Sequence, residues 1–344
     1  MALPNDEAPA PPPSVKDLPP PPGGETGWPW TEGSMPLPDT LPDGSPWPKI
    51  TIVTPSFNQG HFLEETIRSV LLQAYPNLEY FVIDGGSRDN SVEVIRKYEP
   101  WLTGWVSEKD RGQSHAINKG FARATGDLVT FQNSDDIYLP DALGDAALRW
   151  ASHRQAGIVV GGFHYIDGRK MREMAIPARL PSPGPIDLAL TDPEAWRLHQ
   201  VSVLYARHAL DRVGRHVRED LNWTMDREIL YRVCRDFPAI LSERNYAAFR
   251  WHDSGKSFSN YLKADMEYAD LHQGYRYENE SDNRRAREIA DIRRARGYIR
   301  YAKTCGQLGA GVKALWNGVR CHPPVLWQPQ FRNALIKLVL PKRP

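Results

Sequence analysis

The alternation of short apolar segments with helical patterns over residues 49–131 is the feature that most constrains the fold. Four segments rich in β-branched and aromatic residues are predicted to be strands, namely 50–54, 78–84, 105–107 and 128–131. Three intervening segments have helical patterns, namely 61–74, 91–98 and 114–124. Strands that alternate with helices in this way form βαβ units. The sequence therefore predicts an α/β domain with a mainly parallel sheet flanked by helices.

Each of the four predicted strands runs into polar residues at its end. In chain order these are Ser56, Asn58, Asp84, Glu108, Asp110, Asp135 and Asp136. Sheets of this class bind their ligands outside the carboxyl ends of the strands. We therefore expect a ligand site at that edge of the sheet.

The stretch FQNSDD at residues 131–136 places two carboxylates, Asp135 and Asp136, directly after the fourth strand. Two adjacent like charges repel each other, and burying either one without a partner is costly. A divalent cation at the strand end would resolve this conflict. An Asx-type turn that caps a helix beginning near Pro140 would also account for the pattern.

The absence of glycine-rich phosphate-binding motifs favours a metal site at Asp135 and Asp136 over a capping turn. The pattern G-x-G-x-x-G follows neither of the first two strands, and no P-loop pattern is present. A nucleotide bound without a glycine-rich loop needs another way to neutralise its diphosphate. Mg²⁺ or Mn²⁺ held by one or two strand-end carboxylates does this, with phosphate oxygens and water as the other ligands.

The overall composition excludes some other classes. The net charge of +1 gives no field that would attract nucleic acid. The three cysteines are far apart, lack metal-ligand spacing and fit a reducing compartment. No segment approaches the roughly 18 apolar residues of a membrane-spanning helix, and no signal peptide is recognisable. We expect a cytoplasmic protein, with peripheral contact to the inner face of the plasma membrane as an open alternative.

Four blocks of sequence together resemble the family 2 glycosyltransferases of GT-A fold. The blocks are TPSFNQG at 54–60, VIDGGSRDNS at 82–91, SEKDRGQSHAINKG at 107–120 and FQNSDD at 131–136. They occur in the order and at the spacings of that family. The resemblance implies a Rossmann-like GT-A sheet, a nucleotide-diphosphate sugar donor, a divalent metal, and transfer with inversion at the anomeric carbon.

The resemblance also implies roles for residues in these blocks. Asp84 would pair with the base, and Phe57 would stack on the base or line its pocket. Asp135 would lie by the ribose or the metal, and Asp136 would ligate the metal. Because residue 134 is Ser, the site lacks a literal D-x-D motif. The alternatives are a turn or helix-cap role for Asp84 and core packing for Phe57.

The block SEKDRG contributes further candidates for donor binding. Glu108 and Asp110 could face the base and the sugar, and Arg111 could lie near the phosphates. A solvated charged loop would explain the same residues.

An inverting transfer needs a general base for the acceptor hydroxyl, and we expect it on a later segment than the metal carboxylate. Asp226, in the first turn of a predicted helix, is in the position where the family carries that base. Its alternative role is to complement the helix dipole. His252 could ligate the metal or contact the diphosphate and Lys256 could contact phosphate, although both fit a polar loop equally well. Gln200 is a weaker candidate on the acceptor side.

The two ends of the chain have distinct compositions. Residues 1–48 hold 15 of the 30 prolines together with Trp28, Trp30 and Trp47. Such an arm cannot form a helix or a central strand, and its tryptophans favour packing on the folded body over a flexible tail.

The C-terminal segment is basic. Residues 301–344 contain seven Lys or Arg and no Asp or Glu. The residues Phe331, Leu335, Leu338 and Val339 are predicted to form one helical stripe. This helix could lie on an anionic membrane, or it could pack on the domain or on another subunit.

These observations together predict a metal-dependent inverting glycosyltransferase. Residues 1–48 are a Pro/Trp-rich arm, 49–260 a GT-A domain and 261–344 a basic helical extension. Within the domain, residues 49–150 would bind the nucleotide sugar and 151–260 the acceptor. The acceptor would be a hydroxyl of a sugar, a lipid carrier or a protein, and the family resemblance suggests bacterial surface or lipid-linked glycan assembly.

Two other functions stay open. A nucleotidyltransferase would also use paired carboxylates and Mg²⁺, but TPSFNQG is a poor match for a loop that holds a triphosphate. A catalytically silent module that binds nucleotide sugars is the second alternative, and the presence of both Asp136 and Asp226 speaks against it.

Overall fold

The computed structural model describes residues 11–167, 170–173, 199–252, 260–276, 280–305 and 307–339. Contacts divide the chain into two compact units. Of the described residues, the first unit contains 11–167, 170–173, 199–219 and 229–251. The second contains 220–228, 252, 260–276, 280–305 and 307–339. The Pro/Trp-rich arm therefore belongs to the same unit as the predicted nucleotide-sugar half.

The first unit is built on a sheet with nine strands among the described residues. The strands are β1 (Ile50–Ser56), β2 (Leu78–Asp84), β3 (Gly104–Ser107), β4 (Leu128–Phe131), β5 (Ile137–Tyr138), β6 (Ile158–Asp167), β7 (Lys170–Glu173), β8 (Val203–Ala206) and β9 (Ala239–Trp251). Their order is β3-β2-β1-β4-β8-β6-β9-β5, and β7 pairs with β6. The predicted α/β fold is confirmed, and all four predicted strands are present.

The two halves of the sheet differ in strand direction. Strands β1 to β4 pair in parallel. Beyond them, β8 runs antiparallel to both β4 and β6, while β6 and β9 are parallel to each other. The short strands β5 and β7 add antiparallel pairs to β9 and β6. The sheet is thus parallel where the sequence shows βαβ units and mixed beyond residue 131.

The helices of the first half lie where the apolar periodicity predicts them. Among the described residues up to 236, the helices are α1 (Gly60–Leu71), α2 (Ser91–Tyr98), α3 (Gln113–Phe121), α4 (Ala142–Ala151), α5 (Arg207–Val213) and α6 (Met225–Asp236). Leu63, Ile67 and Val70 of α1 are fully buried. A Cβ atom on Gly120 would lie 2.3 Å from a methyl carbon of Val53, so a glycine at this position lets α3 pack closely against β1.

The described part of the N-terminal arm packs on the sheet and its helices. The indole of Trp47 is buried and donates to the carbonyl of Pro38 at 2.7 Å. The indole of Trp28 donates to the carbonyl of Tyr138 at 2.8 Å. From residue 14 onward the arm is therefore a strap along the folded body, as its tryptophans indicate, and not a flexible tail.

A buried arginine fastens this strap to α1. The side chain of Arg68 is fully buried, and its guanidinium donates to the carbonyls of Pro19, Pro29 and Trp30 at 2.8, 2.9 and 2.7 Å. It also donates to the hydroxyl of Tyr98 at 3.0 Å. Burying a charge is costly unless polar atoms replace water around it. The carbonyls of the strap provide these atoms, so the strap and α1 stabilise each other.

We predict that Arg68→Met lowers the free energy of unfolding by about 3 kcal/mol, because it leaves several buried carbonyl groups without donors. Urea denaturation of the full chain measures this change. The matched control is Arg96→Met on the exposed face of α2, where we expect a change within about 0.5 kcal/mol. Equal stabilities of the two variants would show that the strap does not depend on Arg68.

The second unit is helical in its described residues. Its helices after residue 252 are α7 (Tyr261–Gly274), α8 (Glu280–Thr304), α9 (Leu308–Cys321) and α10 (Pro329–Val339). The small and apolar residues that pack α8, α9 and α10 together are Ala295, Ile299, Ala302, Ala314, Leu315, Val325 and Ala334. None of the helices in the described part of the chain combines the length and apolar content that a membrane crossing requires.

Candidate active site

The carboxyl ends of the parallel strands lie side by side. Strand pairing places Ser56 of β1 opposite Asp84 of β2, and Asp84 opposite Ser107 of β3. On the other side of β1, Val53 pairs with Phe131, the last residue of β4. The loops after β1, β2 and β4, which carry the predicted site residues, therefore leave the sheet at one edge.

Asp84 is fully buried and organises the loop after β2. One of its carboxylate oxygens accepts hydrogen bonds from the backbone of Gly86 and Ser87 at 3.0 and 2.9 Å and from the hydroxyl of Ser107 at 2.7 Å. The other oxygen accepts the hydroxyl of Ser87 at 2.5 Å. A carboxylate has about four acceptor positions. The four protein donors fill them, so Asp84 has a structural role in the turn.

Asp110 is brought next to this turn. A Cβ atom on Gly85 would lie 2.7 Å from a carboxylate oxygen of Asp110, so only a glycine leaves space for this approach. The same carboxylate accepts the backbone N–H of Gly112 at 2.8 Å. Asp84 and Asp110 therefore place two carboxylates at the ends of β2 and β3.

Two other charged residues of the loop after β3, Arg111 and Glu108, form ion pairs at the surface. Arg111 donates two hydrogen bonds of 2.9 Å to the carboxylate of Glu219. Glu108 pairs with Lys119 at 2.7 Å. In this structure Arg111 and Glu108 are held by protein partners, and their roles in donor binding stay predictions.

Phe57 leads the loop after β1 and is 59% exposed, so the alternative of core packing is wrong. Its neighbour Asn58 has a left-handed backbone with φ of 52°. The backbone N–H of Asn58 donates to the hydroxyl of Ser87 at 2.7 Å, and its side-chain oxygen accepts the backbone N–H of Arg88 at 2.9 Å. The loops after β1 and β2 thus fix each other, with the Phe57 ring at the surface beside them.

Gln59 connects the loop after β1 to the NSDD turn after β4. Its amide nitrogen donates to a carboxylate oxygen of Asp135 at 3.0 Å, and its amide oxygen accepts the hydroxyl of Ser134. On the other side, the side chain of Gln113 donates to the side-chain oxygen of Asn133 at 2.7 Å. No sequence pattern singled out Gln59, because its partners lie about 75 residues away.

Asp136 is completely buried within the NSDD turn. One carboxylate oxygen accepts the backbone N–H of Arg250 at 2.9 Å, and the other accepts the side-chain amide of Asn133 at 3.1 Å. The hydroxyl of Thr66 lies 2.8 Å from the backbone carbonyl of Asp136. Burial raises the pKa of the Asp136 carboxyl well above its usual range, and the negative charge of Asp135 raises it further.

The two adjacent carboxylates therefore have different surroundings. Asp136 faces the protein, whereas Asp135 is only partly buried. Neither caps α4, because the backbone N–H of Leu143 in its first turn binds the side chain of Gln73, and that of Asp141 binds Ser34. The alternative of a helix-capping turn is thus wrong for this stretch.

The candidate residues on later segments of the chain differ in their burial and in the unit to which they belong. Gln200 is buried and its amide donates to the carbonyl of Phe131, so it secures the end of β4. Asp226 and His252 belong to the second unit and are partly buried. Lys256 lies outside the described residues.

The start of α6, where Asp226 lies, is secured within the second unit. The carboxylate of Glu267 accepts the backbone N–H groups of Asn222, Trp223 and Thr224 at 2.7 to 2.8 Å. Glu267 thus already provides the negative charge that a helix N-terminus favours. Helix initiation does not depend on Asp226 alone, so the catalytic role of Asp226 stays a prediction.

In the described ranges, no group of three or more His, Cys, Asp or Glu side chains forms a metal cage.

We predict that Gln59→Leu loosens the NSDD turn, because it removes the amide that binds both Asp135 and Ser134. The free energy of unfolding should fall by about 1–2 kcal/mol. Hydrogen exchange at the amides of residues 133–136 should become faster. The control is Gln155→Leu, which changes an exposed glutamine of the same unit. Unchanged exchange in the Gln59 variant would mean that other contacts alone hold the turn.

Comparison with known proteins gives a consistent picture. The model of the family described as Glycosyl transferase family 2 matches residues 51–214. An uncharacterized glycosyltransferase of Mycobacterium tuberculosis is 41% identical over 101 residues, which are 29% of this chain and 38% of that protein. The putative teichuronic acid biosynthesis glycosyltransferase TuaG of Bacillus subtilis is 33% identical over 99 residues, 28% of this chain and 40% of TuaG. The chain spans about two fifths of the length of these curated relatives.

Solved structures share the fold over a longer stretch. The structure of S. aureus TarS in complex with UDP-GlcNAc has a TM-score of 0.56 and 17% identity, and covers 85% of this chain and 80% of that one. The mannosyltransferase PcManGT of Pyrobaculum calidifontis, in complex with GDP-Man and Mn²⁺, has a TM-score of 0.54 and 18% identity, and covers 86% and 88%. At this level of identity the likeness concerns the fold, and it agrees with the predicted GT-A architecture.

Proposed function

We propose that this chain, whose residues 51–214 match the model of glycosyltransferase family 2, transfers a sugar from a nucleotide-diphosphate sugar to a hydroxyl acceptor. The observation that carries the proposal is the interlocking of the three loops after β1, β2 and β4. Gln59 joins the first of these loops to Asp135, and Asn58 joins it to the loop that contains Ser87. These hydrogen bonds hold the three loops side by side at one edge of the sheet, where a single extended ligand could contact all three.

The chemistry of this edge changes along its length. At one end, the exposed ring of Phe57 offers a face on which a base can stack. Asp110, beside the turn that Asp84 organises, offers oxygens for N–H groups of a base or hydroxyls of a ribose. At the other end, Asp135 is the partly buried carboxylate of the NSDD turn. A nucleoside lying from Phe57 toward Asp135 would bring its diphosphate to the turn.

A diphosphate beside these carboxylates requires a cation. Mg²⁺ and Mn²⁺ typically take one or two carboxylates and keep phosphate oxygens and water as their other ligands. The residues fit such an ion, because Asp135 can provide a carboxylate at the surface of the turn while Asp136, buried behind it, positions the turn. When bound, the ion would neutralise the charge of the diphosphate leaving group. We therefore propose Asp135 as the direct metal contact, whereas the family resemblance implies that Asp136 ligates the metal. His252 stays a further candidate.

The second half of the reaction needs a base. We propose that Asp226 accepts the proton of the acceptor hydroxyl as the oxygen of that hydroxyl bonds to the anomeric carbon and the bond to the diphosphate breaks. This displacement would invert the configuration at that carbon. The name of TuaG, a putative teichuronic acid biosynthesis glycosyltransferase, supports a place in bacterial surface-glycan assembly.

We predict that nucleoside diphosphates bind about tenfold more tightly with Mn²⁺ than with a chelator, and that Asp135→Asn removes most of this difference, because a contact to a charged group is worth about 1.5–3 kcal/mol. Calorimetric titration with UDP and GDP measures both quantities. Asp39→Asn, an exposed aspartate of the strap, is the control and should bind as the wild type does. Equal affinities with Mn²⁺ and with chelator in the wild type would contradict the metal site.

We predict that Asp226→Asn lowers turnover by about 10²–10⁴-fold, because it keeps the shape of the side chain and removes its basicity. Donor affinity and melting temperature should stay close to those of the wild type. The measurement is a transfer or donor-hydrolysis assay beside donor titration. Asp236→Asn, at the exposed end of the same helix, is the matched control.

Wild-type turnover in the Asp226 variant would reject this residue as the base, and Asp220 or Glu219 would be the next candidates. A wild-type protein that binds donors but turns over with no acceptor would favour the silent binding module.

A further inference from the structure

Helix α9 has an unusual distribution of side-chain sizes. Its buried face is formed by small residues, Gly311, Ala314 and Gly318, together with Leu315. The large apolar residues Leu308, Val312 and Trp316 lie outside, and Trp316 is 64% exposed. They are four residues apart and therefore follow one stripe of the helix. A helix of a soluble protein normally turns its large apolar residues inward.

The next two elements also expose large apolar residues. Trp327 ends the short 3₁₀ segment Pro323–Trp327 and is 89% exposed, whereas Val325 two residues before it is buried. On α10, Ala334 is buried while Leu335 and Ile336 are exposed. We call these exposed positions the outer apolar set, which comprises Leu308, Val312, Trp316, Leu326, Trp327, Leu335 and Ile336.

The observed faces of α10 differ from the predicted stripe. Phe331 packs against the buried cluster that joins α8, α9 and α10, whereas Leu335 is exposed. The side chains of Leu338 and Val339 lie outside the described residues. The apolar face that remains uncovered is therefore carried largely by α9 and the 3₁₀ segment, which the sequence pattern did not single out.

Basic residues accompany this set, and the sequence segment that carries it contains no acidic residue. Lys313 follows Val312, and Arg320 lies one turn beyond Trp316 on the same stripe of α9; both are exposed. The whole sequence from residue 301 to residue 344 contains seven Lys or Arg and no Asp or Glu. Any partner of this surface must accept apolar side chains and positive charge together.

Three kinds of partner could cover this surface: a second copy of the chain, an acidic polymer and an anionic bilayer. The combination of apolar side chains and positive charge distinguishes between them. In a two-fold pairing of two copies this patch would face itself, so its positive charges would be brought toward the positive charges of the other copy. An acidic polymer would satisfy Lys313 and Arg320 but would leave Leu308 and Val312 in water. The boundary of an anionic bilayer accepts both, because tryptophan rings favour the headgroup level and lysine and arginine bind lipid phosphates.

We propose that the outer apolar set docks the chain on an anionic lipid surface, with Trp316 and Trp327 inserted at the headgroup level and Lys313 and Arg320 bound to lipid phosphates. The interaction is peripheral and reversible. It does not depend on the proposed transfer reaction, and a chain without enzymatic activity would bind in the same way.

The test is flotation of the full-length protein with vesicles of phosphatidylcholine alone and of phosphatidylcholine with phosphatidylglycerol. We expect binding to the mixed vesicles, weaker binding to the neutral ones, and partial release by high salt. Lys313→Gln with Arg320→Gln should weaken binding about 25-fold, since each basic residue near an anionic surface contributes about fivefold. Trp316→Ser with Trp327→Ser should weaken it about tenfold or more and should leave the salt dependence in place.

Matched variants separate this surface from general effects. Arg284→Gln with Arg285→Gln removes two exposed positive charges from α8. Met35→Ser with Met171→Ser removes two exposed apolar side chains from the first unit. Both should bind vesicles as the wild type does, and circular dichroism should show that all four variants keep their helices.

Three results would overturn the proposal. The first is a wild-type protein that binds neither kind of vesicle at low salt. The second is equal loss of binding in the test and control variants. The third is a wild-type dimer that becomes monomeric when Trp316 and Trp327 are replaced, without any vesicle binding, because the surface would then join two copies.

Discussion

The complete burial of one carboxylate, that of Asp136, is the constraint on which the candidate site depends. A carboxylate in this position must find protein donors, and it finds them in the backbone of Arg250 at the end of β9 and in the side chain of Asn133. The guanidinium of Arg250 also donates to the carbonyl of Asp135 and pairs with Glu65 of α1. The hydrogen bonds of Asp136 and Arg250 thus bring β9, α1 and the end of β4 together. Asp135 is then the carboxylate nearer the surface.

Helix α1 links this turn to the rest of the first unit. The hydroxyl of Thr66 contacts the carbonyls of Ser134 and Asp136, while Arg68, two residues further along, binds the carbonyls of the N-terminal strap. One helix therefore supports the NSDD turn with one residue and the strap with another. The strap contributes none of the candidate site residues, but it packs on the same helix as the NSDD turn, which gives the proline-rich segment a structural reason to pack.

The features that the sequence predicted are those that depend on local pattern. Strands β1 to β4 and their helices were predicted because each is a run of β-branched residues followed by an apolar stripe of helical period. The polar strand ends followed from the same pattern. The antiparallel pairs of β5, β7 and β8 were not predicted, because strand direction beyond residue 131 depends on pairing between distant segments. Gln59, and Arg250 at a distance of 114 residues from Asp136, were missed for the same reason. In the sequence, Arg68 looks like an ordinary polar helix residue. Its burial is possible because the carbonyls of the strap accept its hydrogen bonds.

The central claim is that a nucleotide sugar binds across the loops after β1, β2 and β4 with a divalent ion at the NSDD turn. The most direct measurement is a crystal structure with Mn²⁺ and the nucleotide sugar that raises the melting temperature most in a panel of donors. We expect the base beside Phe57 and Asp84, and the anomalous signal of manganese within about 2.2 Å of a carboxylate oxygen of Asp135, with diphosphate oxygens among its other ligands. A nucleotide bound away from this edge of the sheet, or a diphosphate at this edge without a metal ion, would contradict the claim.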